Sequence, residues 1–313
     1  MDGRAAPLLH IKVSMRKDLI LGIVLVLVGA SCYGLQSTCV KLAYGQGYSP
    51  GEVIGAQFVI GAVILGLIKL VTSLRPAVPG AVPLGWPDRF KLMAGGASIG
   101  FTGSFYYLSV AYTSVSAAIV LLMQSVWMGV ALDAALGRAW PSPLKLVSSI
   151  LVLVGTILAT NLLGDAAHLS LLGVVFGLLA AVSYTLVIWC SSHVGLHVDV
   201  VSRSFLMVLG GAVVAVLIAL PQLTVRFDPS IFWSWGLIIA LLGTVLPPFL
   251  FNKGIPATGV GLAAMLSSVE LPVAVVMAGL LLQEAFLPSQ WAGVGIILGA
   301  IAVANVGAGR AAG

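Results

Sequence analysis

Apolar runs of about twenty residues recur along the chain, each closed by a short cluster of glycine, proline or charge. A helix rises about 1.5 Å per residue, so a run of that length spans the roughly 30 Å of hydrocarbon in a bilayer. The breaks delimit ten spans, near 19–43, 50–73, 90–112, 115–136, 143–161, 170–192, 200–221, 230–253, 258–283 and 288–306. Several starts carry helix chemistry. Ser49-Pro50-Gly51-Glu52 reads as N-cap, first-turn proline and capping-box glutamate, which gives Glu52 a structural role; Ser142-Pro143 and Asp228-Pro229 repeat the first two elements.

The spans also repeat. Shifting the first by 151 residues without gaps aligns Gly22 with Gly173, Leu27 with Leu178, Ala30 with Ala181, Tyr33 with Tyr184 and Cys39 with Cys190. A second register, near 146, aligns Ala117-Ala118 with Ala263-Ala264 and Leu136 with Leu282. Each half holds five spans, and because five is odd the second copy crosses the bilayer in the opposite sense. The expected fold class is an all-α integral membrane protein with ten transmembrane helices in two inverted five-helix repeats around a central cavity. The expected organisation is a basic segment at 1–18, one repeat at 19–161, the other at 170–306 and a tail at 307–313.

Composition agrees with membrane burial. Only 8% of the residues are charged against 60% hydrophobic, and mean hydropathy is +1.13, whereas soluble domains are about a quarter charged. A soluble α/β domain is excluded. The pI near 9.2 invites a nucleic-acid reading, but the basic residues sit singly between spans and build no aromatic-interleaved patch. The expected partners are the lipid bilayer and a small molecule, with no nucleic acid; the oligomeric state is left open, a monomer included. Basic residues instead orient the chain. With its start cytoplasmic, the inner segments hold Arg4, Lys12, Arg16, Lys17, Lys69, Arg75, Arg89, Lys91, Arg138, Lys145, Arg203, Lys253 and Arg310, and the outer ends hold only Lys41 and Arg226. Both termini are expected in the cytoplasm, with the second half oriented by span count. The run from Leu19 to Val40 is expected to be a retained helix rather than a signal peptide. Cys32, Cys39 and Cys190 lie inside spans, are odd in number and lack metal-ligand spacing, so neither a disulfide framework nor a metal site is expected.

The segment Leu266 to Ala304 resembles the closing helix pair of the EamA-type domain of the drug/metabolite transporter superfamily. The matching elements are Pro272-Val273, then Gln283-Glu284 where the family usually has Gly-Glu, then Gln290-Trp291-Ala292-Gly293. A degraded copy lies around Ala111-Tyr112-Thr113-Ser114 and Leu136-Gly137-Arg138, with Val126 in the proline's place and Arg138 in the glutamate's. The resemblance implies a transporter of the cytoplasmic (inner) membrane, similar to bacterial aromatic amino acid and paraquat exporters. Its implied action is export of aromatic or other neutral amino acids by alternating access, with cationic drugs as the alternative cargo.

Glu270 is the sharpest single signal, since a lone carboxylate in mid-span costs several kcal/mol unless it is paired, protonated or facing water. On one helix it would share a stripe with Ala263, Ser267 and Ala274, and Gln124 falls at its counterpart in the 146 register. Glu270 either binds a substrate ammonium, carries a coupling proton, or locks the bundle through hydrogen bonds. Tyr33 and Gln36 share a face of the first helix, and Tyr106, Tyr107, Trp127, Tyr184 and Trp189 sit inside spans. Together they could box a flat or cationic substrate, although tyrosine and tryptophan also fill interfaces and membrane belts. Lys253 and Lys41 are the lysines close enough to the spans to answer a substrate carboxylate or pair with Glu270, and Lys253 with its neighbour Asn252 is a cavity candidate, although snorkelling at helix ends also accounts for both lysines. Pro247, Pro248 and Pro272 are hinge candidates because each frees a carbonyl inside a span. Gly95-Gly96 with Gly100, and Gly293 with Gly295 and Gly299, are read as close helix contacts. An intramembrane enzyme is the competing class. His10, His168, His193 and His197 lie at or beyond span ends, no HExxH motif or phosphate-binding glycine loop is present, and neither catalysis nor a cofactor is expected.

Overall fold

A computed structural model describes residues 5–74, 84–113, 115–137, 140–161, 170–223, 227–283 and 287–311, with side chains from 17 to 304 except 111, 115 and 116. Arg4, Arg75, Ser114, Arg138, His168, Arg226 and Glu284, with the side chains of His10, Lys12, Arg16, Ala111 and Arg310, lie outside the described residues. The described residues form helices and turns, without a strand.

The first span is α1 (Ala5–Gly45), which runs back through the basic segment that hydropathy alone leaves outside it. The next are α2 (Pro50–Ser73) and α3 (Trp86–Tyr112). The fourth span divides into α4 (Val115–Leu122) and α5 (Ser125–Gly137). Single rods follow in α6 (Pro143–Ala159), α7 (Leu171–His193) and α8 (Val200–Leu223). The eighth span is composite: a 3-10 turn at Pro229–Phe232, α9 (Gly236–Ala240), a π-helical stretch at Leu241–Val245, and α10 (Leu246–Thr258). The ninth divides into α11 (Val260–Ser267) and α12 (Glu270–Leu281), and α13 (Pro288–Ala311) is the tenth. Among the described residues, seven spans are long and apolar enough to cross a membrane. The shorter apolar α6 and α13, with the 27-residue α3, bring the described spans to ten.

The caps form as the sequence predicts. Ser49 Oγ accepts from the Glu52 N–H at 3.3 Å while Glu52 Oε2 accepts from the Ser49 N–H at 2.7 Å. The other Glu52 oxygen accepts from the Asp228 N–H at 2.6 Å and so ties the start of α2 to the start of the eighth span. Ser142 caps α6, and Asp228 caps the 3-10 turn.

Proline accounts for two of the three broken spans. Pro247 and Pro248 supply no N–H to the carbonyls of Gly243 and Thr244, and the ladder slips to π spacing, with the Leu246 N–H donating to the Leu241 carbonyl. Pro272 likewise has none for Ser268, so the ninth span stops at Ser267 and restarts at Glu270, leaving Pro272 in a first turn where no donor is required. The expected stripe through Ser267 and Glu270 is therefore interrupted. The fourth span breaks without proline at Met123-Gln124, the pair that the 146 register aligns with Val269-Glu270.

The two halves pack with two-fold symmetry. α1 lies along α10 as α7 lies along α3, while α2 meets α8, α6 meets α13 and α5 meets α11, each span against its own counterpart. Tyr33 and Tyr184, equivalent in the 151 register, meet edge to face with centroids 6.4 Å apart, which places both beside the axis. Close backbone approach fixes these crossings. A Cβ on Gly155 would fall 2.9 Å from the Gly293 carbonyl, and one on Gly210 would fall 2.7 Å from the Met93 carbonyl carbon. Gly295 and Gly299 take no part, because nothing lies within 4 Å of where their Cβ would be.

Candidate functional site

One pair breaks the symmetry. α5 packs along α11, but their images, α12 and α4, stand apart across a cavity of about 370 Å³, within the range of roughly 300–1,000 Å³ typical of small-molecule sites. Its walls come from the C-terminal halves of α1 and α3, the N-terminal half of α2, α4 and α12, and its rim includes Thr160 and Gln290. All these helix ends share the face opposite the start of α1. The other face is shut by the α5–α11 contact, where Gly129 lets Ala264 approach. There Lys145 Nζ pairs with Asp133 Oδ2 at 2.9 Å, and the same oxygen sits against the first turn of α11, 2.7 Å from where a Cβ on Gly261 would be.

Glu270 lies at the deep end, as the first residue of α12. Its position follows from the helix break, which turns the first residue of the restarted helix toward the axis and sets its carboxyl at a helix N-terminus, the favourable end for negative charge. Tyr33, Tyr106 and Tyr184 are its electrostatic neighbours. Among the described residues no group hydrogen-bonds or ion-pairs with its carboxyl. Tyr33 packs on Phe251 at 5.9 Å, and Tyr106, Tyr107 and Tyr44 continue an edge-to-face series at 6.0 and 6.3 Å. The wall is thus aromatic, with one carboxyl set into it.

Of the candidates read from sequence, the structure gathers Glu270, Tyr33, Gln36, Tyr106, Tyr107 and Tyr184 around this cavity. It places the others elsewhere. Gln124 is spent on its own break: its N–H goes to Leu121, and its Nε2 donates to the stranded Val120 carbonyl at 3.1 Å while its Oε1 accepts from Trp127 Nε1 at 3.0 Å. Trp127 itself is 45% exposed on the outside of the bundle. Trp189 stacks on His193 at the end of α7. Ser267 is buried and donates back to the Ala263 carbonyl at 2.8 Å, and Asn252 is buried beside Ser204. Lys253 is exposed, whereas Lys41, which end-of-helix snorkelling explained equally well, lines the cavity. Pro247, Pro248 and Pro272 stay outside the lining, though Gly243, whose carbonyl Pro247 strands, belongs to it.

Sequence reading missed Gln57 and Gln290. Gln57 is 6% exposed, and its Oε1 accepts from Gln36 Nε2 at 2.9 Å within the cavity wall. As the one amide inside the apolar 50–73 run it was visible in principle. Gln290 accepts from the Leu287 N–H and donates to the Ala159 carbonyl at 3.1 Å, closing the last turn of α6. Among the described residues no three His, Cys, Asp or Glu side chains gather as a metal site would need.

Comparison with known proteins gives the same architecture. A solved crystal structure, described only as that of a protein, superposes with a TM-score of 0.69 over 93% of this chain and 98% of its own, at 15% identity, a likeness of fold. No curated protein matches the sequence. The sequence profile of the EamA-like transporter family matches residues 20–161 and again 171–306, nearly the whole chain. The chain therefore belongs to the EamA-like transporter family, whose members carry small molecules across membranes.

Proposed function

We propose that the protein exports neutral amino acids, aromatic ones among them, across the cytoplasmic membrane by alternating access, with both termini in the cytoplasm. The observation that carries this reading is the Glu270 carboxyl, set without a protein partner among the described residues at the deep end of an aromatic cavity. A carboxylate at that depth is costly unless paired, and a substrate ammonium is the partner that the site itself lacks. The tyrosine faces supply stacking and cation–π attraction of about 0.5–2 kcal/mol per contact. The same rings suit a quaternary ammonium drug, which is the second reading. The excess of basic residues on the face where α1 begins supports the orientation, and the cavity then opens outward. Exchanging the two symmetric pairs, so that α4 closes on α12 while α5 leaves α11, would open it inward.

Purified protein in liposomes should move labelled aromatic or neutral amino acids, and Glu270→Gln should slow this at least tenfold, since the variant loses the ion pair with the substrate ammonium. Acid that protonates Glu270 should slow the wild type as well, and the Gln variant should lose that dependence. Rates equal to empty liposomes across a broad amino acid panel would refute the substrate class. Full activity of the variant with unchanged pH response would remove Glu270 from the site.

A further inference from the structure

We infer that the Gln36–Gln57 amide pair anchors the substrate's carboxylate, which makes the cargo a zwitterion rather than a plain organic cation. The inference rests on the cavity being the transport site. Two primary amides hold four N–H donors, and the hydrogen bond that joins this pair consumes one. Three donors are left without a partner among the described residues, in a pair that lines the cavity. Neither amide is spent on a helix end or a stranded carbonyl, as Gln124 and Gln290 are. Both stay in the cavity wall at the cost of desolvation.

Their placement is enforced. Gly243 backs the Gln36 amide so closely that a Cβ there would lie 2.5 Å from the amide carbon. Gln36 stands one turn beyond Tyr33, which borders Glu270, and the carboxyl and both amides line one cavity. An α-amino acid held there would set its ammonium toward Glu270 and its carboxylate toward the amides.

The test compares two labelled compounds in liposomes carrying the full chain: an aromatic amino acid, and the amine left when its carboxylate is removed. Wild type should prefer the amino acid. Gln57→Leu and, separately, Gln36→Leu should each lower the amino acid to amine rate ratio about tenfold, the effect of losing hydrogen bonds to a charged group. Glu270→Gln should slow both compounds. Gly243→Ala, which displaces Gln36 without altering a polar group, should lower the ratio in the same direction. Equal wild-type rates for the two compounds, or a ratio that survives in both leucine variants, would overturn the assignment while leaving transport intact. Movement of neither compound by wild type would overturn the proposed function and this assignment with it.

Discussion

Asn252 has a carbonyl that its own helix cannot satisfy, because the residue four places on is Pro256. Arg203, 2% exposed, answers it: Nη1 donates to the Asn252 carbonyl at 3.0 Å and Nη2 to the Ser191 carbonyl, in the last turn of α7, at 2.7 Å. The guanidinium thereby joins α7, α8 and α10. Replacing it by methionine strands two buried acceptors at about 1–3 kcal/mol each, so Arg203→Met should lower the melting temperature by several degrees. Pro256→Ala restores an N–H for Asn252, and in that background the same substitution should cost measurably less. Equal losses in both backgrounds would remove the proline from the account. The sequence shows Pro256 but not what answers the orphaned carbonyl, because the answering side chain lies 49 residues away on another helix. For the same reason Asn252 reads from sequence as a cavity residue. Counting Arg203 among face charges places it on the correct helix and hides its burial.

Among the elements, the glycine crossings separate helix faces that composition cannot. Gly210 sits against the Met93 backbone in the α3–α8 contact, whereas Gly295 on α13 faces open space. Gly210→Ala should therefore destabilise the bundle by more than the ~1–3 kcal/mol usual for overpacking, since backbone rather than a flexible side chain must move. Gly295→Ala should stabilise it by up to about 1 kcal/mol, the helix-propensity difference. Thermal unfolding in detergent compares the two. The ten spans and their caps were readable because hydropathy and capping are local. The break in the fourth span was not, because no proline announces it and only its alignment with the ninth marks the place. Gln283 adopts φ +52° at the end of α12, a left-handed position of the kind that glycine serves, which accounts for the family's usual Gly-Glu there.

At the scale of the whole molecule, the face shut by α5 and α11 carries an ion pair that the cavity's mouth does not repeat among the described residues. The 146 register carries Asp133 to Gly279 and Lys145 to Trp291, so the Asp133–Lys145 pair has no image at the cavity's mouth. Both side chains are about a third exposed, so the pair is worth about 0.5–1 kcal/mol at most. Asp133→Ala should raise the population open at the α5–α11 face by roughly two- to fivefold. The measurement is maleimide labelling of Val130→Cys, buried on α5, in a chain without its three native cysteines. Unchanged labelling would show that helix packing alone holds that face. The inverted repeat was visible in the Gly22, Tyr33 and Cys39 pairs, but which image of each contact is closed is a property of one conformation, on which no line of residues carries information.

The tie between Glu52 and the Asp228 N–H joins positions 176 residues apart. A ribosome adding about 5–20 residues per second needs roughly 10–35 s to supply the second partner after the first. The second span must therefore enter the bilayer before that contact can form, whereas the Ser49 cap, local to the helix start, is available from the outset. The eighth span then arrives to a prepared acceptor, and the first five helices become a finished half only near the end of synthesis.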